Sequence, residues 1–221
     1  VRKYWRQVLT AVLAVVLLLL GLDIRFGLFR GPGCRLPVLM YPHFTSEGGP
    51  GTMVSGARFR EQMTALKDAG FTAVTLEEVR DYVLDGGPLP AKPVVITMDD
   101  GYTSNLTIAA PVLEELGFCA TVFMIGCYEG EILDFRSGNY IWEERFSYEQ
   151  ALPWVEKGVL DLQSHTFDMH RLIEEGIGQR DGMLREAGES AEDYAAAVRG
   201  DLEQFLARRE GRVPTDLIAV S

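Results

Sequence analysis

Two adjacent aspartates are the first residues of this sequence whose types and spacing could do chemistry. Asp99 and Asp100 directly follow residues 93–98, a continuous apolar run typical of a strand that is buried on both faces. Charged groups at such a position are costly unless they are paired or bind a metal ion. Gly101 gives the backbone freedom to turn immediately after them. The pair is therefore a candidate catalytic or metal-binding site.

A second candidate segment, residues 164–170, reads Ser-His-Thr-Phe-Asp-Met-His and follows the predicted strand Val159 to Gln163. It contains His165 and His170, two of the three histidines in the chain. Because the carboxyl ends of parallel strands meet at one edge of a sheet, we expect these histidines to lie near the aspartates. A spacing of five turns side chains about 140° apart on a helix, so both must reach a common ligand from a loop.

One carboxylate and two imidazoles would supply three ligands and leave a fourth position open for water, as in catalytic zinc sites. The metal ion would lower the pKa of bound water and polarise a carbonyl, while the second aspartate could accept the proton. The alternatives are an aspartate pair that forms a turn or caps a helix, and histidines that are only hydrogen-bonded within the structure. The convergence of the two segments favours a hydrolytic site.

Two further polar residues could reach the same edge. His43 lies at the end of the first predicted strand, and we expect it to support a loop rather than to bind the metal. Asp168 could orient one of the histidines as a hydrogen-bond acceptor, although a turn residue is the preferred interpretation. Neither is included in the ligand set.

The elements that must position these residues alternate between strands and helices. The pattern predicts an amphipathic helix between Ser55 and Gly70, a shorter one from about Glu77 to Leu84, and a third over residues 107–116. Predicted strands cover residues 38–41, 71–76, 93–98, 118–125 and 159–163, and residues 45–56 are predicted to form a loop. Ser147 and Gln150 form a candidate capping box. Such alternation predicts parallel strands in an α/β barrel or an open α/β layer.

The last predicted element is a charged helix from Ser190, its expected N-cap, to about Arg209. Its apolar side chains are spaced to face a core, and these are Tyr194, Val198, Leu202 and Phe205. The remaining charges of this helix are predicted to face solvent.

Composition excludes several classes of protein. With 47% hydrophobic and 24% charged residues, the sequence predicts a folded globular protein. A net charge of −11 argues against a nucleic-acid partner, because such affinity comes from clustered Lys and Arg. The three cysteines, Cys34, Cys119 and Cys127, lack CxxC spacing, so neither a zinc knuckle nor a disulfide framework is indicated. Cys119 is expected to be a core residue.

The N-terminal 30 residues differ from the rest, since five basic residues and one acidic residue give them a net charge of +4. The apolar run from Val8 to Leu22 follows three of the basic residues, the charge order of a signal peptide or signal anchor. We expect an uncleaved, single-pass membrane anchor with an extracytoplasmic catalytic domain. Secretion after signal cleavage and a buried core helix are the alternatives. The predicted organisation is an anchor at 1–30, a linker at 31–36 and one domain at 37–221.

The motifs together resemble those of a known family. Residues 97–102, Thr-Met-Asp-Asp-Gly-Tyr, with the Ser164-His165-Thr166 segment and His170, are similar to the NodB-type polysaccharide deacetylases, carbohydrate esterase family 4, whose hallmark reads Thr-Phe-Asp-Asp-Gly. The agreement extends over about residues 37–175. It implies an α/β fold of the distorted (β/α) barrel type.

The resemblance also implies a role for each residue. Asp99 would be the general base, and the backbone N–H of Tyr102 would help to stabilise the oxyanion. The metal ligands would be Asp100, His165 and His170. The ion would be divalent, usually Zn²⁺, with Co²⁺, Ni²⁺ or Fe²⁺ as alternatives.

The implied reaction removes N-acetyl (or O-acetyl) groups from an N-acetylglucosamine-containing polysaccharide of the cell surface or cell wall. The histidine spacing of five looks like the branch that deacetylates poly-β-1,6-N-acetylglucosamine.

The sequence also departs from the family pattern. Pro42 stands where many relatives have histidine, and the later motifs, including the general-acid histidine, have no counterpart. A barrel that is incomplete at the C-terminus is therefore expected. The hypotheses are an active deacetylase, a membrane-anchored carbohydrate-binding remnant without catalysis, and a metal hydrolase acting on another amide or ester.

Overall fold

The structure, a computed structural model, describes residues 35–41, 43–49, 53–128, 132–135, 141–169, 185 and 187–212. The predicted anchor at residues 1–30 lies outside these ranges, so the predicted domain boundaries stay a prediction. His170 also lies outside them. Among the helices in the described ranges, none combines the length and apolar character needed to cross a membrane.

The described residues form nine strands and five α-helices. The strands are β1 (Val38–Met40), β2 (His43–Thr45), β3 (Met53–Ser55), β4 (Thr72–Ala73), β5 (Pro93–Asp100), β6 (Ala120–Met124), β7 (Ile132–Phe135), β8 (Ile141–Glu144) and β9 (Leu160–Ser164). The helices are α1 (Gly56–Asp68), α2 (Leu76–Asp85), α3 (Ala110–Leu116), α4 (Tyr148–Glu156) and α5 (Ala191–Arg209).

A parallel sheet organises the fold in the order β1-β5-β6-β9, and β4 pairs with the first residues of β5. The β5 side chains Val94, Val95, Ile96 and Met98 are at most 1% exposed. Burial on both faces explains why this strand is apolar without alternation. The predicted α/β class with parallel strands is confirmed.

Local capping chemistry fixes where several helices begin. Ser55 caps α1 by accepting a hydrogen bond from the Arg58 N–H. Both hydrogen bonds of the predicted capping box are present between Ser147 and Gln150 at the start of α4, so that prediction is confirmed.

The predicted strand at residues 71–76 is too long, because β4 ends at Ala73. Val74 still donates a backbone hydrogen bond to the Val94 carbonyl, at 3.0 Å, but Thr75 already caps α2 in a capping box with Glu78. The capping interaction therefore outweighs the strand propensity of Val74 and Thr75.

The helix predicted at 107–116 ends where α3 ends, but its first residues belong to a π-helical turn, Asn105–Ala109, that precedes α3. Two strand pairs lie where no strand was predicted, the parallel pair β2–β3 and the antiparallel pair β7–β8. The prediction of a loop at 45–56 is wrong for its two ends, because β2 ends at Thr45 and β3 covers Met53–Ser55.

The core lies between the sheet and its helices. Phe59 and Met63 of α1 are completely buried, as their helical spacing predicts. The Phe59 ring meets Tyr41 and Phe44 edge-on, with centroids 5.0 and 4.8 Å away. Burying each such side chain stabilises the fold by about 1.5–3 kcal/mol, so this cluster holds α1 against Tyr41, which follows β1, and Phe44 of β2.

The α5 helix begins after Ser190, which accepts the predicted capping hydrogen bond, from the Asp193 N–H. Phe205 is fully buried, as predicted. The prediction that the remaining charges face solvent is wrong for Asp201 and Arg209, which are 8% and 3% exposed. The cause is tertiary, because both lie on the face of α5 that packs against the body of the domain.

Candidate active site

The two aspartates close β5 at the carboxyl edge of the sheet. They lie in register with β6, with Asp99 opposite Phe123 and Asp100 opposite Met124, and both side chains are half-buried. Asp100 has φ 71° and Gly101 has φ 75°, so two consecutive residues are left-handed. A non-glycine residue in this region costs about 1–3 kcal/mol, which is typical of functional sites.

Gly101 is needed at this turn for a second reason. A Cβ atom on Gly101 would lie 3.3 Å from the Met124 Cγ atom, in addition to the unfavourable φ. The turn therefore brings the aspartate backbone close against β6, and any side chain at residue 101 would push it away.

His165 reaches the same edge from β9, as predicted. Its backbone N–H donates to the Met124 carbonyl at 2.8 Å, which continues the β6–β9 ladder by one residue. Its Nε2 atom lies 3.4 Å from the Asp100 Oδ1 atom, with side chains 16% and 15% exposed. The predicted meeting of an aspartate and a histidine from separate segments is therefore present.

The segment that follows His165 is a turn. Thr166 has φ 66°, and its Oγ1 atom accepts a hydrogen bond from the Met169 N–H at 3.1 Å. Asp168 lies in this turn, and its Oδ1 atom accepts a hydrogen bond from the Cys127 thiol at 3.3 Å. His165 therefore lies between the end of β9 and this turn, and the approach of both histidines to a common ligand from a loop stays a prediction.

Arg145 is a site residue that the sequence analysis missed. Its side chain is 2% exposed, and its Nη1 atom lies 3.8 Å from the Asp100 Oδ2 atom. Its guanidinium carbon lies 3.6 Å from the centre of the Tyr102 ring, a cation–π arrangement. No local sequence pattern distinguishes Arg145, because its partners Asp100 and Tyr102 are more than 40 residues away in the chain and meet it only in the folded structure.

Backbone pairing fixes the position of Arg145. Tyr102 and Arg145 form an antiparallel bridge, and the Phe146 N–H donates to the Gly101 carbonyl at 3.1 Å. The same pairing holds the turn that carries Asp100. The segment before α4 therefore supports the aspartate turn with both its backbone and a buried positive charge.

His43 packs against Tyr102 at the edge of the site. Its ring stacks on the Tyr102 ring, with centroids 4.4 Å apart and planes 24° apart. The Tyr102 side chain thus contacts both His43 and Arg145. This packing fits the expectation that His43 supports a loop.

Within the described residues, no group of three His, Cys, Asp or Glu side chains is arranged to hold a metal ion. The two predicted ligands that fall in those residues do fit such an ion. A carboxylate oxygen and an imidazole nitrogen 3.4 Å apart are donors that zinc accepts, and both are largely shielded from solvent. The third predicted ligand, His170, lies outside the described residues.

A parallel α/β sheet that brings a carboxylate pair and an imidazole together at its carboxyl edge is an arrangement found in hydrolytic enzymes. The sequence pattern of the family described as polysaccharide deacetylase matches residues 86–219. The chain belongs to this family.

Two relatives illustrate the similarity. The Bacillus subtilis (strain 168) protein YxkH, named as a polysaccharide deacetylase, is 33% identical over 134 residues, 61% of this chain and 43% of that protein. The poly-beta-1,6-N-acetyl-D-glucosamine N-deacetylase of Escherichia coli (strain K12) is 28% identical over 121 residues, 53% of this chain and 18% of that protein. The matched segment thus spans less than half the length of either relative.

Solved structures show the same fold. IcaB from Ammonifex degensii has a TM-score of 0.64 at 24% identity, over 81% of this chain and 70% of that chain. A de-N-acetylase from Aggregatibacter actinomycetemcomitans has a TM-score of 0.66 at 17% identity, over 82% and 76%. At these identities the likeness establishes the fold alone.

Proposed function

We propose that this chain is a metal-dependent hydrolase that removes acetyl groups from an N-acetylglucosamine-containing polysaccharide of the cell surface or cell wall. The observation that carries the proposal is the Asp100–His165 contact at the carboxyl edge of the sheet, next to Asp99. Family membership supports deacetylation as the reaction. The name of the Escherichia coli relative supports N-acetylglucosamine units as the substrate.

The proposed division of labour follows from the backbone. Asp100 has a left-handed backbone and Asp99 does not, so the two adjacent side chains leave the end of β5 in different directions and can serve different purposes. Asp100 and His165, together with His170, would hold a divalent ion such as Zn²⁺. When bound, that ion supplies the polarisation of the acetyl carbonyl and a lowered pKa for water.

Groups of the protein then accept the proton that water loses and stabilise the negative charge that develops on the carbonyl oxygen. Asp99 accepts the proton that water loses as its oxygen bonds to the acetyl carbon. The backbone N–H of Tyr102 donates to the carbonyl oxygen as it becomes negative. As the C–N bond breaks, the sugar nitrogen takes up the proton that Asp99 accepted, and the products are acetate and a free amine on the sugar. An O-acetyl substrate would instead leave a hydroxyl group.

The strain at Asp100 supports this assignment. A left-handed aspartate persists only where its surroundings over-determine it, and here the Phe146–Gly101 hydrogen bond and Arg145 do so. The surroundings therefore place the Asp100 carboxylate before any ligand arrives. Such preorganisation is what a metal site or a catalytic site requires.

The experiment is acetate release by the purified full chain in mild detergent, with Zn²⁺, Co²⁺ or Ni²⁺ added. Substrates are β-1,6-linked and β-1,4-linked N-acetylglucosamine oligomers and peptidoglycan. We expect Asp99→Asn to lose about 10²–10⁴-fold in kcat while it still binds zinc. Asp68→Asn, an exposed carboxylate at the end of α1, is the matched control and should keep full activity.

The alternative readings predict different results. Binding of the oligomers without acetate release from the wild type would identify a carbohydrate-binding protein and refute the deacetylase. Turnover of another amide or ester, but of no acetylated sugar, would identify a different hydrolase. Full activity of Asp99→Asn would reject Asp99 as the base.

We also propose that residues 1–30 anchor the chain in the cell membrane by a single pass, with the catalytic domain outside the cytoplasm. The basic residues before the apolar run support this orientation. Fractionation of cells, followed by protease treatment of intact spheroplasts, tests it. Recovery of a shorter chain from the medium would favour signal cleavage and secretion instead.

A further inference from the structure

A buried carboxylate of α5 contacts the turn that follows His165. The Oδ2 atom of Asp201 accepts a hydrogen bond from the Phe167 N–H at 2.6 Å, and its Oδ1 atom accepts one from the Asp168 N–H at 2.8 Å. Hydrogen bonds of this length to an ionised acceptor are the stronger kind. The Asp201 carboxylate therefore binds two consecutive amides of this turn at once.

The position of Asp201 in the helix explains its burial. Asp201 precedes Phe205 by one helical turn and shares its inward face. A Cβ atom on Gly126 would lie 3.1 Å from Phe205 and 2.7 Å from Phe167, so α5 and the turn both pack closely against residue 126. A carboxylate placed in this contact needs compensating donors, and the two amides supply them.

The opposite side of the turn is held by the backbone that continues β6. The N–H of Gly126 donates to the Thr166 carbonyl at 3.0 Å, and the N–H of Cys127 donates to the Phe167 carbonyl at 2.8 Å. Two carbonyls of the turn thus bind the backbone that follows β6, and two of its amides bind Asp201. We call these four hydrogen bonds, two from the backbone after β6 and two to Asp201, the clamp of the turn. Thr166, whose φ is 66°, lies within this clamp, and a strained residue persists only where its surroundings hold it in this way.

We propose that Asp201 is a positioning residue for the metal-binding histidine segment. By fixing the amides of Phe167 and Asp168, it holds the turn in the shape that sets the His165 imidazole beside Asp100. Helix α5 thereby contributes a positioning residue to a site whose described residues, Asp99, Asp100 and His165, lie at the ends of other elements. This inference rests on the proposed function for its purpose, although the clamp itself can be tested without a metal ion.

The test compares Asp201→Ala and Asp201→Asn with the wild-type full chain, and Glu203→Gln, an exposed carboxylate of the same helix, is the control. Amide hydrogen exchange without metal is the first measurement. We expect faster exchange in peptides covering residues 165–169 in Asp201→Ala, with peptides of β5 and α1 unchanged. Asp201→Asn keeps one acceptor oxygen and should lie between Asp201→Ala and the wild type.

Zinc affinity is the second measurement, because partners that orient a ligand typically account for about 10- to 100-fold in affinity. We expect a loss of that size in Asp201→Ala, a smaller one in Asp201→Asn, and none in Glu203→Gln. Unchanged exchange, or unchanged zinc affinity with faster exchange, would overturn the positioning role. Exchange that rises equally in β5 and α1 would also overturn it, since Asp201 would then support the whole fold. A wild type that binds no metal would instead refute the proposed function.

Discussion

The Nε2 atom of His165 lies 3.4 Å from the Oδ1 atom of Asp100, although Asp100 ends β5 and His165 directly follows β9, two strands that are not neighbours in the sheet. The strand between them, β6, makes this contact possible. Its residue Met124 pairs with Asp100 on one side and with Ser164 on the other. The contact is therefore a consequence of strand register.

The first prediction concerns metal binding. We expect Asp100→Asn and His165→Gln each to weaken Zn²⁺ binding by more than about 100-fold, since losing a ligand costs more than losing a group that orients one. Calorimetric titration of the apoprotein measures this. His43→Gln is the control at the same edge, and its affinity should equal that of the wild type. Wild-type affinity in His165→Gln would exclude it from the ligand set.

The second prediction concerns the buried charge of Arg145. Arg145→Leu should lower the free energy of unfolding by on the order of 3 kcal/mol, because it leaves the Asp100 carboxylate without its nearby cation. Arg145→Lys keeps the charge but loses the planar contact with Tyr102, so its loss should be smaller. Urea unfolding of the metal-free protein measures both.

A double-mutant cycle with Asp100→Asn gives the control for this interaction. If Arg145 acts through Asp100, the two substitutions should couple by about 0.5–3 kcal/mol. Strict additivity would contradict the pairing between Arg145 and Asp100.

The third prediction concerns the thiol of Cys119. Burial raises the pKa of Cys119 to about 11, so its thiolate at pH 8 should be roughly 100-fold rarer than that of a thiol with the ordinary value of 9. Alkylation by iodoacetamide, followed residue by residue with mass spectrometry, should be correspondingly slow at Cys119. Cys119 is half-buried rather than the core residue expected from the sequence. The urea-unfolded chain is the reference, and equal rates in the two states would contradict the raised pKa of this thiol.

The fourth prediction concerns the dependence of stability on pH. Burial raises the pKa of Asp161, although a hydrogen bond from Gln163 at 2.7 Å opposes the shift. The folded state therefore disfavours the ionised carboxylate, and this cost appears as the pH rises above the unfolded pKa of about 4. Asp161→Asn should be more stable than the wild type at pH 7.

The stability advantage of Asp161→Asn over the wild type should shrink in acid, because Asp161 is then largely protonated in both the folded and the unfolded chain. Urea unfolding at pH 7 and at pH 3.5 compares the two conditions, with Asp68→Asn as an exposed control. An advantage of equal size at both values would point to a cause other than the ionisation of Asp161.

The sequence predicted the parts of the fold that depend on local patterns. The apolar run of β5, the buried face of α1 and the Ser147–Gln150 capping box are each encoded within a few residues, so they could be predicted directly. The parts that it missed depend on distant partners. The β2–β3 and β7–β8 pairs contain short strands, and short strands become stable only when a partner is present.

The candidate site divides in the same way. Strand ends followed by carboxylates and imidazoles predicted that Asp99, Asp100 and His165 would share one edge, and the structure brings Asp100 and His165 into contact. The residues that hold this edge in shape carried no local signal. Arg145 lies among ordinary charged residues, and Asp201 lies on a helix whose charges mostly face solvent.

By itself, the sequence determined which residues are candidates for the chemistry and that a parallel α/β sheet presents them, because burial and alternation leave a pattern along the chain. Only the tertiary structure decided which charges become buried, and so which of them act on the site. Arg145 and Asp201 are buried because the Tyr102 ring, the Asp100 carboxylate and two turn amides meet them there. A charge is stable in such a place only when its partners converge from several elements, and that convergence exists only in the folded chain.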